Sequence, residues 1–198
     1  MGNNCKAALI TALFFVSTTA LANVSVTGST GTPNVEPFLS IGTGGSAGTM
    51  LINNGSVVTS GDGAAVGLDL GSAGSVRITD PGSRWDVGGI AGSIFFLGPS
   101  FTPGVQGGTG SILVENSATL SASSFDAGSE FGDARFFVGV GGNGSLHVRS
   151  GGTANVTDLN GFGSDDGVQI GNSTTDGLAG NGSVLIEGTG SSLSLIHI

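Results

Sequence analysis

Apolar residues in this chain fall on alternate positions in short bursts, and each burst is introduced by the same pair of residues. Five times the order is Gly, then Ser or Thr, then apolar, any, apolar: Gly48-Thr49-Met50-Leu51-Ile52, Gly74-Ser75-Val76-Arg77-Ile78, Gly110-Ser111-Ile112-Leu113-Val114, Gly144-Ser145-Leu146-His147-Val148 and Gly182-Ser183-Val184-Leu185-Ile186. Alternation of period two puts the two apolar side chains on one face of a strand and the middle residue on the other. Each burst therefore predicts a strand, with Arg77 and His147 turned to solvent. A second short strand ending in Gly precedes each burst: Leu39-Ser40-Ile41-Gly42, Ala65-Val66-Gly67, Phe96-Leu97-Gly98, Phe136-Phe137-Val138-Gly139 and Val168-Gln169-Ile170-Gly171. Glycine there supplies the positive φ that a tight corner demands.

The bursts start 26, 36, 34 and 38 residues apart, a spacing at which repeats stack and no unit stands alone. Loops between the strand-ending Gly and the next burst vary in length, so insertions gather at one corner of the stack. The two longest, Pro99 to Gly108 and Asn172 to Asn181, are the first candidates for a recognition surface. The expected fold is all-β, a parallel β-solenoid (β-helix) of stacked Gly-rich repeats over 39–192. It is expected to be right-handed by the usual preference of parallel crossovers.

Composition sharpens this reading. The 198 residues include 39 Gly without a three-residue period, which excludes collagen. The N-terminus reads as a secretion signal spanning 1–22: Lys6 supplies positive charge, Ala7 to Val16 is an apolar run broken only by Thr11, and Ala20-Leu21-Ala22 offers small residues for cleavage. Ten apolar residues are too few to cross a hydrocarbon core, which takes about 20 in a helix, so the mature chain is expected to have no membrane span. Residues 23–38 are then an N-terminal capping segment. Cleavage removes Cys5 and Lys6, the only cysteine and the only lysine, and leaves four arginines against 14 acids, a net charge of −10. Such a surface repels phosphate backbones, so nucleic acid is excluded as a partner.

Two kinds of tail follow the bursts. One is Asn-Gly-like, as in Ile52-Asn53-Asn54-Gly55, Val114-Glu115-Asn116-Ser117 and Val148-Arg149-Ser150-Gly151-Gly152. The other is Thr79-Asp80-Pro81-Gly82-Ser83-Arg84-Trp85, echoed in Glu187-Gly188-Thr189-Gly190-Ser191-Ser192-Leu193. Together with the bursts they resemble the repeat shared by autotransporter (type V secretion) passenger domains and PEP-CTERM sorted bacterial exoproteins. The resemblance spans roughly Leu39 to Leu193. It implies a β-helical domain that is secreted or lies at the bacterial cell surface or outer membrane. It carries no common catalytic residues and no cofactor, and it implies a surface or matrix partner such as a glycan or a cell surface. The terminal Leu193-Ser194-Leu195-Ile196-His197-Ile198 matches the translation of a transposase adapter used in sequencing libraries, so 193–198 are expected to be adapter-derived and the chain to be the N-terminal fragment of a longer protein.

Several motifs suggest chemistry and lose it in context. Gly44-Gly45-Ser46-Ala47-Gly48 fits G-x-S-x-G, and Gly139-Val140-Gly141-Gly142-Asn143-Gly144 fits G-x-G-x-x-G. Both patterns need a following helix, and both precede a predicted strand. Asp158, Asn160, Asp165 and Asp166 are the candidate oxygen ligands for Ca²⁺, but their Gly-rich stretch lacks the spacing and terminal Glu of an EF-hand and reads better as a solvated turn, so no metal is expected. Trp85 is read as a structural residue at a rung edge rather than a carbohydrate platform. A polysaccharide lyase or glycosidase would need clustered carboxylates. The nearest groupings are Asp80, Arg84 and Asp86, and Asp126, Glu130, Asp133 and Arg135. The leading expectation is a non-catalytic structural or adhesin-type passenger, with the β-helix polysaccharide enzyme as the alternative.

Overall fold

The computed structural model describes residues 22–27, 35–89, 93–99, 105–124, 134–158, 167–171 and 178–197. The expected signal segment lies outside them except for Ala22. The described residues form strands and no helix, and the chain winds through them in six rungs. The first rung carries β1 (Ala22–Thr27) and β2 (Val35–Ile41), and the second β3 (Ala47–Asn53) and the ten-residue β4 (Val57–Val66). The third has β5 (Ala73–Ile78), β6 (Arg84–Gly89) and β7 (Ser93–Leu97); the fourth β8 (Thr109–Val114), β9 (Thr119–Ser124) and β10 (Ala134–Val138). The fifth has β11 (Asn143–Arg149), β12 (Thr153–Asp158) and β13 (Gly167–Ile170), and the sixth β14 (Asn181–Glu187) and β15 (Ser192–His197).

Every strand pairing is parallel, and the strands stack into three faces. The first face runs β1-β3-β5-β8-β11-β14. The second joins the first half of β4 to β6, β9, β12 and β15, and the third joins β2, the second half of β4, β7, β10 and β13. β4 serves two faces because it bends between Ser60, which pairs with Val87, and Gly63, which pairs with Ile94. The molecule is a parallel β-solenoid, as the repeat predicts.

The register explains the recurrence of residue types. Gly48, Gly74, Gly110, Gly144 and Gly182 lie directly above one another, and so do the two apolar positions of each burst. Met50, Val76, Ile112 and Leu146 form one buried column, and Ile52, Ile78, Val114 and Val148 the next. Their middle neighbours Leu51, Arg77, Leu113, His147 and Leu185 face outward, half-buried or exposed. At the corners the strand-ending Gly42, Gly67, Gly98, Gly139 and Gly171 all have positive φ. Gly67 has a second reason to be glycine, since a Cβ there would collide with the Thr109 carbonyl at the start of the fourth rung.

The two kinds of tail prove to be two lengths of one corner. The Asn-Gly kind closes at once, with Ser56 N donating to Asn53 O at 3.1 Å and Gly152 N to Arg149 O at 2.9 Å. The other kind inserts one residue first, so that Ser83 N donates to Asp80 O at 3.1 Å. Serines at this corner also tie rungs together: Ser83 Oγ accepts from Gly55 N of the rung before at 2.9 Å, and Ser191 Oγ from Gly151 N at 3.1 Å.

Two expectations need correction. Each full rung holds three strands rather than two, the third following the tail. Its inward positions stack as Val58, Trp85, Leu120, Ala154 and Leu193, and as Ser60, Val87, Ala122, Val156 and Leu195. Trp85, expected at a rung edge, belongs to that first column and is fully buried. Its ring meets Phe95 edge-on with centroids 5.1 Å apart, and Phe95 meets Phe136 at 5.4 Å. The indole Nε1 donates to Ser60 Oγ at 3.3 Å, which satisfies two polar groups in an apolar interior.

Candidate functional site

The outward positions of the first face, with the corner beside them, hold the main cluster of charged side chains among the described residues. Two columns matter: Leu51, Arg77, Leu113, His147, Leu185, and, two residues later, Asn53, Thr79, Glu115, Arg149, Glu187. Glu115 stands just past β8, where the chain leaves the first face, and its backbone N–H bonds to Ile78 O at 3.0 Å. This fixes its side chain between the third and fifth rungs. Arg77 Nε donates to Oε1 at 2.7 Å and Arg149 Nε to Oε2 at 2.8 Å, while Arg77 Nη2 makes a further contact with Oε1.

Glu115 is only 3% exposed. Burial pushes its pKa up, but the hydrogen bonds and charges of Arg149 and Arg77 outweigh that and hold the carboxyl below the usual carboxylate range. A buried carboxylate is stable only when paired in this way. The same diagonal recurs two rungs on, where His147 Nε2 and Glu187 Oε1 lie 2.8 Å apart. Glu115, Arg149, Ser150, Glu187 and Gly188 line a shallow open depression of about 380 Å³. Both Glu115 oxygens are engaged by guanidinium groups, so the cluster offers cross-rung clamping rather than an activated nucleophile or base.

Only some of the residues singled out in the sequence are among the described ones. Asp158 closes β12, while Asn160, Asp165 and Asp166 lie outside the described residues, as do Asp126, Glu130 and Asp133 of the second carboxylate grouping. Asp80 and Asp86 do not share a cleft. Asp80 Oδ2 accepts from Asn54 N at 3.2 Å inside the corner, whereas Asp86 lies on β6 and pairs with Arg84 Nε at 2.7 Å. Gly44 to Ser46 form a turn, closed by Ser46 N donating to Thr43 O at 3.0 Å, that runs directly into β3. Gly139 to Gly142 lead into β11 in the same way, so neither glycine motif opens a helix. Trp85 presents no ring face to solvent and is no carbohydrate platform. Of the two long loops only the ends are described: the first is pinned by Gly107 N to Gly141 O at 2.7 Å and Asp69 N to Pro99 O at 3.1 Å, and the end of the second by Asn181 N to Gly142 O at 2.7 Å. Among the described residues no three of His, Cys, Asp and Glu gather as a metal site, and no helix is long and apolar enough to cross a membrane.

The Arg77, Glu115, Arg149 cluster was missed in the sequence, where Arg77 counted only as solvent-facing. Its signal is opposite charges on adjacent rungs, with Arg149 in the column of Glu115 and Arg77 two positions before it. Comparison of the chain with family models, with curated proteins and with solved structures finds no match.

Proposed function

We propose that this chain is a secreted or surface-exposed bacterial structural protein, a non-catalytic β-solenoid passenger that serves as a spacer or an adhesive display toward a glycan or cell surface. The observation that carries this reading is the continuity of the stack. Inward columns run apolar from rung to rung, corners are closed by glycine and serine, and the first-face charges are spent on each other across rungs. Such a body is rigid and acidic, and it gains length by adding rungs, which suits a spacer. The N-terminal pattern of Lys6, the apolar run and Ala20-Leu21-Ala22 supports export, and the resemblance to passenger repeats supports a surface location. The polysaccharide-enzyme alternative needs a pair of free carboxylates in one cleft; Glu115 and Glu187 share the shallow depression, but both Glu115 oxygens are held by guanidinium groups and Glu187 is engaged by His147, while Asp80 and Asp86 occupy a separate corner and face.

The test is expression in a bacterium with a reporter fused after residue 198, followed by fractionation, N-terminal sequencing and binding to glycans and cells. Export with a new N-terminus at Asn23, adhesion to a surface, and no depolymerisation of a polysaccharide panel are expected. Retention of the unprocessed chain in the cytoplasm, or release of reducing or unsaturated sugar ends, would overturn the reading.

A further inference from the structure

We propose that Asn54 is a site of spontaneous deamidation, left open at one corner of the stack, while the same triplet is sealed where it recurs in the strands. Asn-Gly-Ser occurs three times among the described residues: Asn54-Gly55-Ser56, Asn143-Gly144-Ser145 and Asn181-Gly182-Ser183. All three asparagines are exposed. With identical neighbours on the C-terminal side, the surroundings of the glycine set them apart.

The reaction uses that glycine's backbone nitrogen. It gives up its proton and attacks the asparagine Cγ, the bond from Cγ to the side-chain nitrogen breaks, and ammonia leaves with the proton as a five-membered succinimide closes. Water then opens the ring at one carbonyl or the other, giving aspartate or isoaspartate. Closure requires the peptide between the two residues to turn over toward the asparagine side chain. Glycine has no Cβ to obstruct this, but the peptide still needs room.

In the strands it has none. A Cβ on Gly144 would collide with Gly139 N, and one on Gly182 with Val138 O, so backbone is packed hard against both glycines. The two pairs are also in register, and Asn181 Nδ2 donates to Asn143 Oδ1 at 3.2 Å. Turning either peptide breaks sheet pairing.

The corner is different. The nearest atom to a Cβ on Gly55 would be Pro81 O, at 3.8 Å. Asn54 (φ 54°) and Gly55 (φ 74°) form the centre of a turn closed by Ser56 N donating to Asn53 O, the left-handed kind that Asn-Gly favours. Two contacts from the third rung restrain it: Gly55 N donates to Ser83 Oγ at 2.9 Å, and Asn54 N to Asp80 Oδ2 at 3.2 Å. Ser83 thus holds the proton that the reaction must remove. Opening that clip is a local event that frees the nucleophile without disturbing a strand. The product places a new carboxyl group beside Asp80, and isoaspartate adds a methylene to the backbone of the tight turn.

Peptide mapping by mass spectrometry on the folded full chain, aged in mildly alkaline buffer, tests the proposal by reading the amide-to-acid mass gain and isoaspartate at each asparagine. Asn54 is expected to convert faster than Asn143 and Asn181 by about tenfold or more, and the three are expected to converge in denaturant. Ser83→Ala, which removes the acceptor from Gly55 N, is expected to speed conversion at Asn54 several-fold and to leave Asn143 unchanged. The proposal is overturned if Asn54 stays intact, if Asn143 or Asn181 keeps pace with it in the folded chain, or if the ranking persists in denaturant. A folded Ser83→Ala chain in which Asn54 converts no faster overturns it as well. If Ser83→Ala fails to fold, the ranking of the three sites in the parent decides alone.

Discussion

Arg149 Nε donates to Glu115 Oε2 at 2.8 Å across a single rung spacing, and Arg77 holds the other oxygen from the rung on the opposite side. Three successive rungs are thereby fastened through one buried carboxylate. Glu115→Gln keeps the shape but leaves two guanidinium groups without a counter-charge. Both are partly exposed, so water recovers some of the loss, and a destabilisation of about 1–3 kcal/mol is expected in denaturant melts.

The acid limb of stability follows from the same group. The folded-state pKa of Glu115 is lowered, so its contribution is fully present above the unfolded carboxylate value and is lost as pH falls through the folded value. The melting-temperature difference between parent and Glu115→Gln is therefore expected to be constant near neutrality and to shrink below about pH 4. A difference that grows on acidification would contradict the pairing.

Arg84 and Asp86 form an equally short contact, 2.7 Å, but both side chains are substantially solvated. Arg84→Ala is expected to cost no more than about 0.5–1 kcal/mol, and added salt to erase most of it. The contrast with Glu115→Gln separates a rung clamp from a surface pair.

Trp85 gives the interior its own probe, because it is the sole tryptophan. Its emission is expected to be blue-shifted, resistant to iodide quenching and unaffected by added oligosaccharides. Trp85→Ala should cost about 3–5 kcal/mol through the cavity left beside Phe95. Trp85→Phe should cost less, since it keeps the ring contact and gives up the Ser60 hydrogen bond.

Two glycines with similar φ divide sharply in environment. Gly44 (φ 59°) has open space where a Cβ would stand, whereas at Gly139 (φ 76°) it would strike the Asn181 carbonyl. Gly44→Ala is expected to cost about 1–2 kcal/mol from backbone conformation alone. Gly139→Ala adds a backbone collision that only a shift between rungs relieves, so thermal melts should show a drop several times larger or loss of folding.

What could be read from the chain was whatever recurs by residue type. Gly48, Gly74, Gly110, Gly144 and Gly182 recur because backbone of the adjoining rungs passes where a Cβ would be, and the sequence pattern aligns them in the register the structure shows. The third strand escaped because its inward column mixes Val58, Trp85, Leu120, Ala154 and Leu193. Interior volume is shared among rungs and faces, so a large Trp85 is accommodated beside the small Ser60 of the rung before, and no residue type needs to repeat. β1 was hidden for a related reason: Val24 and Val26 alternate as in the bursts, but Ala22 stands at the position held elsewhere by Gly. The Glu115 clamp was illegible because it joins positions 34 and 38 residues apart, and only the register brings them together.

Cross-linking between rungs tests the stacked register most directly. Residues 22–198 contain no cysteine, and Ser75, Ser111 and Ser145 face outward in one column on successive rungs. Neighbours in such a column stand about 4.8 Å apart, within disulfide reach, and alternate members about twice that, beyond it. Under mild oxidation the pairs Ser75→Cys with Ser111→Cys and Ser111→Cys with Ser145→Cys should each form an intramolecular disulfide, while Ser75→Cys with Ser145→Cys should stay reduced. Ready closure of the third pair with failure of the first two would contradict the solenoid.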